Sequence, residues 1–126
     1  MTEQSRLAYH AAARLSRAAR DLMQNADFLD RPADSYAILG NVLDTMRSLE
    51  ASLAQLAEWH RAAEAGRHFD GDHDDSTIGI MTTVEELDLA VQQAEGLQET
   101  ISRAYGANAV VRWFEEVDPS DEDVQD

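Results

Sequence analysis

The densest group of chemically capable side chains is the run His68, Asp70, Asp72, His73, Asp74 and Asp75. Asp70, Asp72 and Asp74 alternate along the chain and offer hard oxygen ligands of the kind that Ca²⁺ and Mg²⁺ take. His68 and His73 add two imidazoles, which together with an aspartate would suit a transition metal. His68, Asp70, Asp72, His73 and Asp74 are therefore the candidate metal ligands. The competing expectation is a solvated acidic loop between helices, in which the same groups meet only water.

The alternation resembles the first three ligand positions of an EF-hand loop, and the likeness stops there. Counted from Asp70, the sixth position is Asp75 where a glycine is needed, and the twelfth is Met81 where a bidentate glutamate is needed. A second carboxylate arrangement lies in Glu85-Glu86-Leu87-Asp88, whose E-x-x-D spacing resembles one half of the Mg²⁺ site of all-α nucleotide pyrophosphohydrolases. Those enzymes pair it with E-x-x-E on a neighbouring helix. Here the preceding helix offers only the isolated Glu50, Glu58 and Glu64. Acids at a helix start are also accounted for by capping and the helix dipole. The expectation is a chain without catalytic residues and without a cofactor.

Composition removes further chemistries. The chain has 126 residues with 25 acidic and 10 basic side chains, for a formal charge of −15. Every basic residue is arginine, and cysteine is absent. No Schiff-base amine, P-loop lysine, thiolate nucleophile, disulfide or cysteine-ligated metal is available. The negative field argues against direct nucleic-acid binding through phosphate neutralisation. No run of about 18 apolar residues is present to make a membrane span. The N-terminus lacks a signal-peptide core, so a cytoplasmic location and no membrane partner are expected.

The elements that position these groups read as helices. Leu7, Ala11, Leu15, Ala18, Leu22, Ala26 and Leu29 recur in steps of three and four and predict a helix over about 2–29. Its other side carries Arg6, His10, Arg14 and Arg17, with Arg20 nearby. Pro32 suits the first turn of a second helix, predicted over 32–65. In it Leu39, Met46, Leu53 and His60 repeat every seven residues, as do Val42, Leu49, Leu56 and Ala63. That heptad pattern predicts packing at a shallow angle against another helix. Gly40 inside it marks a bend or a close crossing, and Gly66 is a natural stop.

Residues 66–82 read as a loop. Thr82 or Thr83 with Glu85 or Glu86 would form a capping box that opens a third helix over 83–105. Gly106 would end it, and a short fourth helix over 108–117 would carry Trp113 and Phe114. The fold class is thus all-α: a small bundle built on a long antiparallel hairpin of the first two helices, with a third helix and a short C-terminal fourth. Residues 1–117 make one domain, and 118–126 an acidic tail without fixed structure.

Charge is uneven: residues 1–31 carry a net +1 and residues 106–126 a net −6. This asymmetry invites pairing of the first helix with the third or with the tail. Leu43, Met46, Leu53, Trp59, His60, Trp113 and Phe114 are the candidate interaction residues. His60, at a core-type heptad position, would set register or lie at an interface edge. The expected function is a non-catalytic helical interaction or assembly protein that self-associates, a dimer before other states, or binds another protein. An acidic inhibitor or nucleic-acid mimic that occupies a basic groove is the first alternative, and the pyrophosphohydrolase-like enzyme the second.

Overall fold

The computed structural model describes residues 2–117, so the expected acidic tail over 118–126 lies outside the described residues. Three α-helices occur in the order α1 (Glu3–Asn25), α2 (Asp34–Ala62) and α3 (Asp74–Asn108). Among the described residues there is no strand, and the single isolated bridge joins Ala65 and Phe69. The described chain divides into two compact units: residues 2–34 with 113–117, and residues 35–112.

In the first unit the Thr2 hydroxyl accepts from the Ser5 N–H at 3.1 Å and caps α1, with Glu3 favourably placed in the first turn. The helix stops at Asn25, four residues short of the expected Leu29. There the Asn25 side-chain amide adds a donation to the Asp21 carbonyl at 2.7 Å within the last turn. No residue of α1 is buried. The C-terminal stretch returns to the corner after the helix, where the Val117 N–H donates to the Asp30 carbonyl at 3.1 Å. Pro32 sits in the turn before α2, and the Asp34 N–H bonds the Arg31 carbonyl at 2.9 Å.

The second unit is an antiparallel hairpin of α2 and α3. Near one end the Asn108 amide donates to the Ser35 hydroxyl at 3.1 Å, and Tyr36 stacks on Tyr105 with ring centroids 4.3 Å apart. Toward the other end the Arg61 guanidinium donates to Asp88 at 2.7 Å. The hairpin therefore joins the second and third helices, where the sequence pattern had suggested the first and second. Leu43, Ala57 and Ala94 are its buried apolar residues.

Element boundaries depart from the sequence reading at three places. The helix α2 ends at Ala62, before Gly66; that glycine instead adopts φ +82° in the loop and donates to the Phe69 carbonyl at 2.7 Å. Left-handed backbone of this kind suits a residue without a Cβ. The helix α3 opens at Asp74, nine residues before the expected start at 83. His73 is its cap: its Nδ1 accepts from the Ser76 N–H at 3.2 Å, and Asp74 and Asp75 meet the positive end of the helix dipole. Thr83 lies inside the helix and donates its hydroxyl to the Gly79 carbonyl. At the far end α3 runs through Gly106 to Asn108, and residues 109–117 form turns and bends in place of the expected fourth helix.

Candidate functional site

The acidic loop does not assemble as a ligand set. His68 Nδ1 accepts from the Glu64 N–H at 2.9 Å, and Asp70 Oδ1 accepts from the Asp72 N–H at 3.0 Å. His73 Nδ1 serves the α3 cap and also pairs with the Ser76 hydroxyl at 2.9 Å. Asp74 is the first residue of α3. Each of these contacts closes a turn or a helix end, so the groups satisfy local backbone donors. Among the described residues no three His, Cys, Asp or Glu side chains are grouped so as to hold a metal ion.

The aspartate of the E-x-x-D pair, Asp88, is likewise drawn into structure. Arg61 bridges Asp88 on α3 and Glu58 one turn back on α2. The hydrogen bond that Arg61 donates to Asp88 holds the guanidinium above its ordinary pKa, opposed by desolvation and helped by the charges of Asp88 and Glu58. This three-member cluster ties the two helices together at the α2 C-terminus.

The interaction residues named from the sequence divide by register. Contacts and burial place Gly40, Leu43, Ala57 and Arg61 on the side of α2 that meets α3: the Tyr105 ring lies against Gly40, Arg61 bonds Asp88, and Leu43 and Ala57 are buried. These positions belong to the series 40, 43, 47, 50, 54, 57, 61. The apolar heptad series is Leu39, Val42, Met46, Leu49, Leu53, Leu56 and His60, continued at Ala63. Each of its first seven members precedes a member of the α3-facing series by one residue. At 3.6 residues per turn that offset is a rotation of about 100° around the helix.

The richest apolar stripe is thus centred about a quarter turn from those four contacts, and Leu39, Val42 and Leu49 along it are half-buried. Met46 and Leu53 are half-buried, His60 is half-buried, and Leu56 is 49% exposed. His60 donates from Nδ1 to the Leu56 carbonyl at 2.6 Å. Beside it, Trp59 is 57% exposed and stands edge-on to both His60 and His68, at centroid distances of 5.0 and 5.8 Å. In the first unit Trp113 and Phe114 lie in the non-helical C-terminal stretch, and Phe114 is 84% exposed.

Two features escaped the sequence reading. Tyr36 and Tyr105, 69 residues apart, stack nearly parallel at 11°; no local spacing announces such a pair. Tyr105 titrates above the ordinary tyrosine value, first because of its hydrogen bond with Tyr36, then because of desolvation and the nearby charges of Tyr36 and Asp44. His73 as a helix cap was also missed, although Asp74 and Asp75 are acids of the kind that favour a first helical turn.

The chain matches no family model, and the searches of curated proteins and of solved structures return no match. Among the described residues no helix is long and apolar enough to cross a membrane.

Proposed function

We propose that this chain is a non-catalytic helical assembly protein that pairs with a second copy of itself through the apolar stripe of α2. The observation that carries the reading is the one-residue offset between the two series on that helix. The series through the observed α3-side positions Gly40, Leu43, Ala57 and Arg61 also contains Arg47, Glu50 and Ala54, whereas leucine, valine and methionine concentrate on the other. A continuous apolar heptad stripe left partly open on a 29-residue helix is the usual mark of a helix–helix interface. The stripe is self-complementary, since an antiparallel copy sets the Leu39 end against the Ala63 end, as a two-fold contact requires.

Light scattering after size exclusion tests this. The chain is expected at twice its 14.0 kDa mass, and the double variant Leu49→Glu/Leu56→Glu at the monomer mass with its helix content retained. A native chain that elutes as a monomer at micromolar concentration overturns the proposal.

A further inference from the structure

No residue of α1 is buried, yet one side of the helix is ordered for packing. Leu7, Ala11, Leu15, Ala18 and Leu22 lie within about 80° of helix arc at 100° per residue, and Ala8 and Ala19 widen the stripe to about 120°. Leu7, Leu15 and Leu22 are 61%, 39% and 40% exposed. Large and small side chains alternate strictly along the stripe, from Leu7 through Ala11, Leu15, Ala18 and Leu22 to Ala26. The four arginines of α1, with Glu3 and Asp21, all lie outside it. Arg14 and Asp21 stand on one border, whereas the other border carries Ala12 and Met23 and no charge. Among the described residues the ion pairs are Asp44–Arg47, Glu58–Arg61, Arg61–Asp88 and Glu64–Arg67, so neither Arg14 nor Asp21 is paired within its own chain.

We propose that this stripe is a second contact between copies of the chain, in which α1 lies antiparallel on the α1 of the copy that α2 holds; it rests on the α2 pairing proposed above. Size complementarity is the first argument. One antiparallel register sets Leu15 against Ala18, Ala11 against Leu22 and Leu7 against Ala26, every leucine on an alanine, so that the layers interdigitate. Sliding by one turn sets leucine on leucine and alanine on alanine. Charge complementarity is the second. In a two-fold antiparallel contact each border meets its own copy. In the same register Arg14 and the Asp21 of the second copy are about 3 Å apart along the axis, and the two-fold repeats the pair. Arg14 and its own copy are about 7.5 Å apart along the axis, so unlike charges stand nearer than like ones. Area is the third. The overlap over residues 8–25 is a strip about 27 Å long and ~10 Å wide, well short of the roughly 800 Å² per partner of a standard stable interface. The α1 contact therefore does not hold two free chains together. Once α2 has paired, the two α1 helices meet within one assembly, at an effective concentration on the order of mM. The formal charge of −15 opposes an anionic membrane surface, the other usual cover for an exposed amphipathic helix.

Cysteine cross-linking reads the register, and the chain has no cysteine of its own. In Ala11→Cys/Leu22→Cys the two thiols of one helix are about 16.5 Å apart along the axis and cannot bridge. The proposed register brings each of them to the other thiol of the second copy. The full-length double variant is expected to form a covalent dimer in a glutathione redox buffer. Ala11→Cys alone and Leu22→Cys alone should not, because like thiols of the two copies also stand about 16.5 Å apart along the axis. Arg14→Asp should slow the joining several-fold, and Arg14→Asp/Asp21→Arg should restore it. Adding Leu49→Glu/Leu56→Glu to the cysteine pair should slow it about tenfold or more, since the effective concentration is lost. A native chain of dimer mass whose double-cysteine variant stays uncross-linked overturns the α1 contact and leaves the α2 pairing standing. Joining of either single variant as fast as the double overturns the antiparallel register. Joining undiminished by Leu49→Glu/Leu56→Glu overturns the dependence on α2, and a native monomer overturns both contacts.

Discussion

A Cβ placed on Gly40 would meet the Tyr105 ring at 3.1 Å, so the hairpin's tyrosine pair is seated on a residue that has no side chain. In mid-helix, glycine costs up to about 1 kcal/mol relative to alanine, and here the cost is offset by the close approach of an aromatic ring from α3.

This seat yields a contrast between two glycines. Nothing lies within 4 Å of a Cβ on Gly96, which is also within α3. Gly96→Ala is expected to stabilise the chain by roughly 0.5–1 kcal/mol. Gly40→Ala should give no such gain, and Gly40→Leu should destabilise by about 1–3 kcal/mol through overpacking against Tyr105. Urea unfolding followed by circular dichroism measures all three; equal gains for Gly40→Ala and Gly96→Ala would contradict the packing described.

The tyrosine pair also predicts a pH dependence. Tyr105 is raised in the folded chain, chiefly by its hydrogen bond with Tyr36. A group raised on folding contributes stability that is fully present below its unfolded value, about 10 for tyrosine, and is lost as pH rises through the folded value. Absorbance titration should show one of the three tyrosines ionising late, and Tyr36→Phe should bring that midpoint down. An unchanged midpoint in Tyr36→Phe would remove the assigned cause.

His73 acts through a single acceptor atom. His73→Ala is expected to cost about 0.5–2 kcal/mol, the usual value of a lost helix cap. His73→Asp or His73→Ser should restore it, because both supply an oxygen to the Ser76 N–H. Hydrogen exchange over Asp74–Thr77 gives a local readout: protection should fall in the alanine variant and return in the other two.

The two series on α2 separate stability from association. Leu43, at 5% exposure, lies in the hairpin's interior, and Leu43→Ala should cost about 2–5 kcal/mol of unfolding free energy. Leu56→Ala removes a half-exposed side chain, so its effect should fall chiefly on the concentration dependence of the melting temperature. Thermal melts across a range of concentrations distinguish the two.

How far the sequence carried the structure can be read from particular residues. Periodicity located all three long helices, because apolar positions spaced at three and four report which side of a helix is shielded. It points to the leucine-rich stripe of α2 as the seam of a hairpin with the first helix, whereas the observed contacts with α3 run through Gly40, Leu43, Ala57 and Arg61. Periodicity reports that a stripe is apolar and is silent on what covers it. The start of α3 was misplaced because Thr82, Thr83, Glu85 and Glu86 make a familiar capping signal. The cap actually used rests on an imidazole, a side chain that seldom plays that part. The spacing of the loop histidines and aspartates carries no information on the turns that consume Asp70, His68 and His73.

The quarter-turn separation of the two series on α2 has a geometric consequence. A helix that offers one contact direction to α3 and a second about 100° away stands at the corner of a square, not in the middle of a flat row. In the proposed pair, a second hairpin placed on that other direction would complete a four-cornered arrangement whose diagonal crosses the two-fold axis. Glu50, half-buried on the α3 side, and His60, at the end of the other, then fall on adjoining edges of that square. The tolerance of each α2 position to substitution should accordingly vary with its angle around the helix and little with its distance along it.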